Sequence, residues 1–146
     1  MDLQLQGKTA IVTGGAKGIG EGIVRSLCRE GVRVVIADRN PENAETLIVD
    51  LKESGGTAIC VPTELTDLEA CRMAVEKTLE WSGGSLDILV NNAGVNDGVG
   101  LDAGTEDFLA SLHKNIVHVY ALAHHALDAL KASRGTIINI TSKVAE

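Results

Sequence analysis

A glycine-rich run, Thr13-Gly14-Gly15-Ala16-Lys17-Gly18-Ile19-Gly20, follows a short β-branched segment and opens a segment of helical period. Glycines at 14, 18 and 20 permit a sharp turn and close approach of backbone to a bulky ligand, and the turn leads into the positive end of a helix dipole. That combination suits a diphosphate, although a strand-to-helix turn that is merely tight could use the same glycines, so the neighbours decide. Asp38 closes the second β-branched segment, where a carboxylate can accept both hydroxyls of an adenosine ribose. Such a carboxylate repels a 2′-phosphate and so favours NAD over NADP, while Lys17 and Arg39 pull the other way.

Further along, Asn91-Asn92-Ala93-Gly94 follows the fourth β-branched segment, Asn115 lies in a long helical segment, and Ser142 comes just after the fifth. Taken singly, these are an asparagine-capped turn, a packed or solvated helix residue and a polar loop residue. His113, His118, His124 and His125 crowd one helix, yet no two stand three or four apart, so no metal site is expected. Cys28, Cys60 and Cys71 form no C-x-x-C pair and are odd in number, which points to reduced thiols in a cytoplasm rather than a disulfide framework.

The elements that must position these residues alternate in type. Lys8–Thr13, Val32–Ala37, Thr57–Val61, Leu86–Val90 and Gly135–Ile140 read as strands. Gly18–Glu30, Pro41–Ser54, Asp67–Trp81 and Thr105–Ala132 read as helices. Asn40-Pro41 is a cap followed by a first-turn proline, Thr66-Asp67-Leu68-Glu69 has capping-box spacing, and Gly31, Gly55-Gly56, Gly83-Gly84 and Gly135 follow helix ends. The alternation predicts an α/β fold, a doubly wound parallel sheet of the Rossmann type, here truncated after its fifth strand. No linker or repeat divides residues 1–146, which read as a single domain.

Composition narrows the partners. The net charge of −7 disfavours nucleic acid and anionic membranes, and no apolar stretch approaches the roughly 20 residues that span a bilayer. Only 2% of residues are aromatic, so the core must be aliphatic.

The Thr13–Gly20 turn, Asn91-Asn92-Ala93-Gly94, Asn115 and Ile138-Asn139-Ile140-Thr141-Ser142 occur in an order that resembles the classical short-chain dehydrogenase/reductase family across the whole chain. The resemblance implies hydride transfer between NAD, or less readily NADP, and a small alcohol or carbonyl substrate. It implies that Gly14, Lys17, Gly18, Ile19, Gly20, Asp38, Arg39, Asn91, Ala93 and Gly94 bind cofactor, with Glu64 and Leu65 standing where the family often places an aspartate toward adenine. Ser142 resembles the catalytic serine that hydrogen-bonds the substrate oxygen, and Asn115 resembles the asparagine that holds a water in a proton relay. The family's tyrosine, with a lysine four residues later, is not found: Tyr120 is followed at 124 by histidine, and Lys143 has no tyrosine four residues before it. These residues are therefore expected to be the amino-terminal part of a longer polypeptide, inactive alone because hydride transfer here lacks its proton partner.

The Glu64-Leu65 pair, Asn91–Gly100 and the histidine-rich helix further resemble aldose dehydrogenases of the L-fucose type, which would turn Val95–Leu101, with Asn96 and Asp97, toward sugar hydroxyls. The family resemblance also implies a homodimer or homotetramer packed through the long helix. An NADPH-dependent carbonyl or 3-oxoacyl reductase and a non-catalytic dinucleotide-binding module remain as alternatives.

Overall fold

The computed structural model describes residues 2–142. Lys143 lies outside them. Five strands, β1 (Thr9–Thr13), β2 (Arg33–Asp38), β3 (Thr57–Pro62), β4 (Ile88–Asn91) and β5 (Thr136–Asn139), form one parallel sheet in the order β3-β2-β1-β4-β5. The helices are α1 (Gly18–Arg29), α2 (Pro41–Glu53), α3 (Leu68–Ser82), α4 (Thr105–Leu112) and α5 (His118–Ser133). Because strand side chains alternate faces, Ala10, Val12, Val34, Ile36 and Val90 pack with Val24 of α1 and Leu47 and Leu51 of α2. On the other face, Ile11, Val35, Ala37 and Leu89 pack with Val75 of α3 and Leu122 and Ala126 of α5. Helices thus cover both faces, which is why β1 and β2 tolerate nearly unbroken apolar runs.

The caps work mostly as their residues suggest. Asn40 Oδ1 accepts the Asn43 N–H at 3.3 Å with Pro41 opening α2. At α3 the N-cap is Asp67 rather than Thr66: Asp67 Oδ1 accepts the Glu69 and Ala70 amides, and the Thr66 hydroxyl donates instead to Glu64. At the end of α5 the left-handed residue is Arg134, with φ 54°, not Gly135. Glycine is needed at 135 for space, since a Cβ there would lie 2.4 Å from the Asp87 carbonyl oxygen.

The expected single helix over Thr105–Ala132 is interrupted. Residues His113–Val117 form a π-turn between α4 and α5. The extra residue per turn shifts the apolar stripe, so α5 buries Leu122, Ala126 and Leu130 while α4 buries nothing. The π-turn leans on His118, which is fully buried and whose Nε2 lies 3.1 Å from the Lys114 carbonyl oxygen. Burial pushes this imidazole below its ordinary pKa, so the neutral ring donates through Nε2 and leaves Nδ1 as a bare acceptor with no partner among the described residues.

Cys28 and Cys71 are buried and Cys60 is half-buried, all as free thiols. Burial pushes the Cys71 thiol up to about 11, which keeps it protonated. No helix among the described residues is long and apolar enough to cross a membrane, and no cluster of metal-ligating side chains occurs among them. At the sheet's edge β5 is exposed along its length, with Ile137, Ile138 and Ile140 each at least 40% accessible.

Candidate functional site

All five strands run the same way, so their carboxyl ends share one edge, and each delivers one of the residues singled out above. β1 ends in the glycine turn, β2 in Asp38, β3 in the Thr63-Glu64 loop, β4 in Asn91–Gly94 and β5 in the segment reaching Ser142. The strand order reverses between β1 and β4, where the loops of an open α/β sheet part to make a crevice.

The turn after β1 is built by close approach. Gly14 adopts φ 60°, and a Cβ there would meet Ala93 at 3.1 Å. Gly20 lies tighter still against the Gly14 carbonyl, so helix α1 starts directly over the turn. Lys17 is the N-cap of α1 in an extended conformation and makes no side-chain cap bond, unlike Asn40 and Asp67 on the neighbouring helices. The first-turn amides of Gly18, Ile19 and Gly20 therefore have no side-chain acceptor, and Ile19 is 71% exposed beside them.

Asp38 faces this turn. Its Oδ2 accepts the Ala16 N–H at 3.2 Å and its Oδ1 the Asn40 N–H at 3.0 Å. Lys17 and Arg39 are exposed at the same edge. Arg25, the third cation near the turn, is committed to Glu21 at 2.8 Å and Asp50 at 3.0 Å. Between α1 and α2 a groove of about 340 Å³ opens next to Ala16 and Lys17.

Two residues outside the predicted site brace it. Thr13 Oγ1, fully buried, accepts the Asn92 and Ala93 amides at 3.0 Å each. Asn92 Nδ2 returns two bonds, to the Thr13 carbonyl at 3.1 Å and the Gly14 carbonyl at 3.2 Å. These four bonds tie the β1 and β4 loops together across the crevice floor. The register pairing Val12 with Val90 is the signal that could have found them, because it sets Thr13 level with the start of the β4 turn. Asn91 Nδ2 donates to Asn139 Oδ1 at 2.9 Å, linking β4 to β5, and the Ile140 N–H donates to the Asn91 carbonyl at 2.9 Å. That pairing carries the chain toward Ser142, which is exposed.

Asn115 sits within the π-turn. Its Oδ1 accepts the Val95 N–H at 2.7 Å and its Nδ2 donates to the Ser111 carbonyl at 3.1 Å, so the π-turn is fastened to the loop after β4. Gly94 leaves room below it, since a Cβ there would approach Asn115 Oδ1 to 3.1 Å, a tight contact that the asparagine would have to yield to. Glu64 is turned back on its own loop, with Oε1 accepting from the Thr66 N–H at 3.2 Å, and Leu65 is half-buried against the α3 and α5 layer. Asp97 is occupied rather than free: Oδ1 accepts the Ser111 hydroxyl at 2.9 Å and Oδ2 lies 3.4 Å from Lys114 Nζ. The Ser111 hydroxyl foremost, with Lys114, holds the Asp97 carboxyl below the usual carboxylate range. Tyr120 is 75% exposed and stacks on His124, with ring centroids 6.1 Å apart.

A sheet that reverses order at a glycine turn, with a strand-end carboxylate beside it, defines a Rossmann-type α/β domain. The chain belongs to the short chain dehydrogenase family, which matches residues 8–146. It is 39% identical over 144 residues to a 7alpha-hydroxysteroid dehydrogenase of Clostridium sardiniense, covering 95% of this chain and 55% of that protein. To an L-fucose dehydrogenase of Mus musculus it is 36% identical over 140 residues, covering 94% of this chain and 50% of that one. Among solved structures, a 7 alpha-hydroxysteroid dehydrogenase complexed with NADH and 7-oxo glycochenodeoxycholic acid superposes with a TM-score of 0.91 at 29% identity, covering 97% of this chain and 55% of that chain. The chain spans about half the length of these relatives.

Proposed function

We propose that these residues are the amino-terminal, cofactor-binding part of a longer polypeptide that transfers hydride between NAD(H) and an alcohol or carbonyl, with an aldose sugar as the substrate class. The observation that carries this reading is the uncapped first turn of α1 beside the Asp38 carboxylate, a donor set for diphosphate next to an acceptor for ribose hydroxyls. The fit extends to Gly14 and Gly20, whose lack of side chains lets backbone come close. When bound, a nicotinamide coenzyme supplies or accepts the hydride.

The chain's own residues bind and orient. Gly18, Ile19 and Gly20 offer amides, Asp38 accepts from ribose, and Asn91, Ala93 and Gly94 form the opposite wall, with Glu64 and Leu65 at the adenine side. Ser142 hydrogen-bonds the substrate oxygen, and Asn115 supports the proton path. A tyrosine and lysine past residue 146 would hold and move the proton. The preference for NAD is supported by Asp38 and by the commitment of Arg25 to Glu21 and Asp50. NADPH-linked carbonyl or oxoacyl reduction is the second reading, favoured by the exposed Lys17 and Arg39. We further propose a homodimer or homotetramer, supported by the outward Ile116 of the π-turn and Tyr120 and Leu127 of α5, and a cytoplasmic location, supported by the free thiols of Cys28, Cys60 and Cys71.

The full-length polypeptide supplied with NAD and, separately, L-fucose, a 7α-hydroxysteroid or a 3-hydroxyacyl thioester is expected to form NADH fastest with the sugar. Faster turnover of the steroid or thioester would remove the sugar proposal. Coenzyme uptake without turnover of any of the three would instead make this a binding module.

A further inference from the structure

We propose that Asp97 is a positioning residue that latches the loop after β4 onto the helix carrying Asn115, and so sets the wall of the substrate crevice. The loop from Asn92 to Gly104 has no regular structure and contains glycines at 94, 98, 100 and 104, so its shape depends on side-chain tethers. Two tethers reach the helix. One is the Val95 N–H on Asn115 Oδ1 at 2.7 Å, and the other is Asp97, gripping the Ser111 hydroxyl at 2.9 Å and Lys114 Nζ at 3.4 Å.

The chemistry of the second tether is directional. A serine hydroxyl has one proton, and a carboxylate can only accept. With that proton given to Asp97, the Ser111 lone pairs face Asn115 Nδ2, 3.4 Å away. The chain Asn115 to Ser111 to Asp97 therefore runs one way and ends on a charge. The bond to a charged acceptor outweighs the partly exposed Lys114 pair, whose lysine side chain is 48% accessible. Asn115 keeps its separate bond to the Ser111 carbonyl when Asp97 is altered, so its own placement survives. Loss of the latch should loosen the crevice wall and leave the reacting groups in place.

The functional half of this inference rests on the dehydrogenase reading above, and the latch itself does not. In the full-length protein, Asp97→Asn and Ser111→Ala are expected to raise KM for whichever of the three probe alcohols is turned over fastest by about tenfold, with kcat changed less than about twofold. NADH affinity should stay within about twofold of wild type, and Ser111→Thr, which keeps the hydroxyl, should restore KM. Hydrogen exchange at the Val95 amide should accelerate by about tenfold in Asp97→Asn and Ser111→Ala, because releasing one tether frees the other. Wild-type protection of Val95 in both variants overturns the latch whatever the kinetics. Lost protection with an unchanged KM overturns the positioning role. If none of the probes is turned over, the dehydrogenase reading has failed and the Val95 amide alone decides the latch.

Discussion

Gly20→Ala is expected to lower stability by about 3 kcal/mol and to weaken dinucleotide binding by about 100-fold. A Cβ at this position would lie 2.1 Å from the Gly14 carbonyl oxygen, 2.8 Å from the Gly14 carbonyl carbon and 2.7 Å from Asn92 Nδ2. The first two are backbone atoms of the turn itself, so relief requires the turn to open by about 1 Å against ordinary contact distances. An opened turn misaims the amides of the first helical turn, and each charge-assisted bond lost to a diphosphate is worth about 1.5–3 kcal/mol. Gly22→Ala is the control. Its Cβ would meet nothing within 4 Å, and alanine inside a helix is favoured over glycine by about 0.5–1 kcal/mol, so that variant should melt at or above wild type and bind coenzyme normally. Urea melts with calorimetric titration separate the two, and a Gly20→Ala protein that melts and binds like wild type would refute the close-approach geometry.

Thr13→Val should lower stability by about 2–4 kcal/mol, although it conserves shape and adds no bulk. The hydroxyl, itself fully buried, accepts two amides at 3.0 Å, from Asn92 and Ala93, and valine leaves both donors without an acceptor in a partly buried setting. An unpaired donor of this kind costs about 1–3 kcal/mol. The β1 and β4 loops would part at the crevice floor, so coenzyme affinity should fall along with stability. Thr13→Ser keeps the acceptor and loses only a methyl, worth about 1 kcal/mol. Equal melting of the valine and serine variants would show that the hydroxyl does not carry the brace.

The contrast between these two residues shows what local spacing can convey. The glycine turn, the Asn40-Pro41 cap and the alternating strands are short-range patterns, and each was readable because its cause lies within a few residues. Thr13 and Asn92 are 79 residues apart, and their hydrogen bonds exist only once β1 and β4 pair. The π-turn at His113–Val117 was illegible for a different reason: the run from Leu112 through Leu122 keeps an apolar rhythm that an uninterrupted helix would also satisfy. Only the bonds of Asn115 and His118 show where the extra residue is accommodated. At α3, Thr66 and Asp67 are both competent caps one residue apart, and only the bonds of Asp67 Oδ1 to the Glu69 and Ala70 amides show which of them starts the helix. Asp97 read as a free group for substrate hydroxyls, and its two partners on α4 and the π-turn come from a loop path that sequence does not specify.

The assignment of the glycine turn and Asp38 is tested most directly by titrating the folded full-length protein with NADH and NADPH in a calorimeter, alongside Asp38→Ala. The expected result is NADH binding at least about tenfold tighter than NADPH, with that gap closing in the variant. A folded protein that takes up neither coenzyme would contradict it.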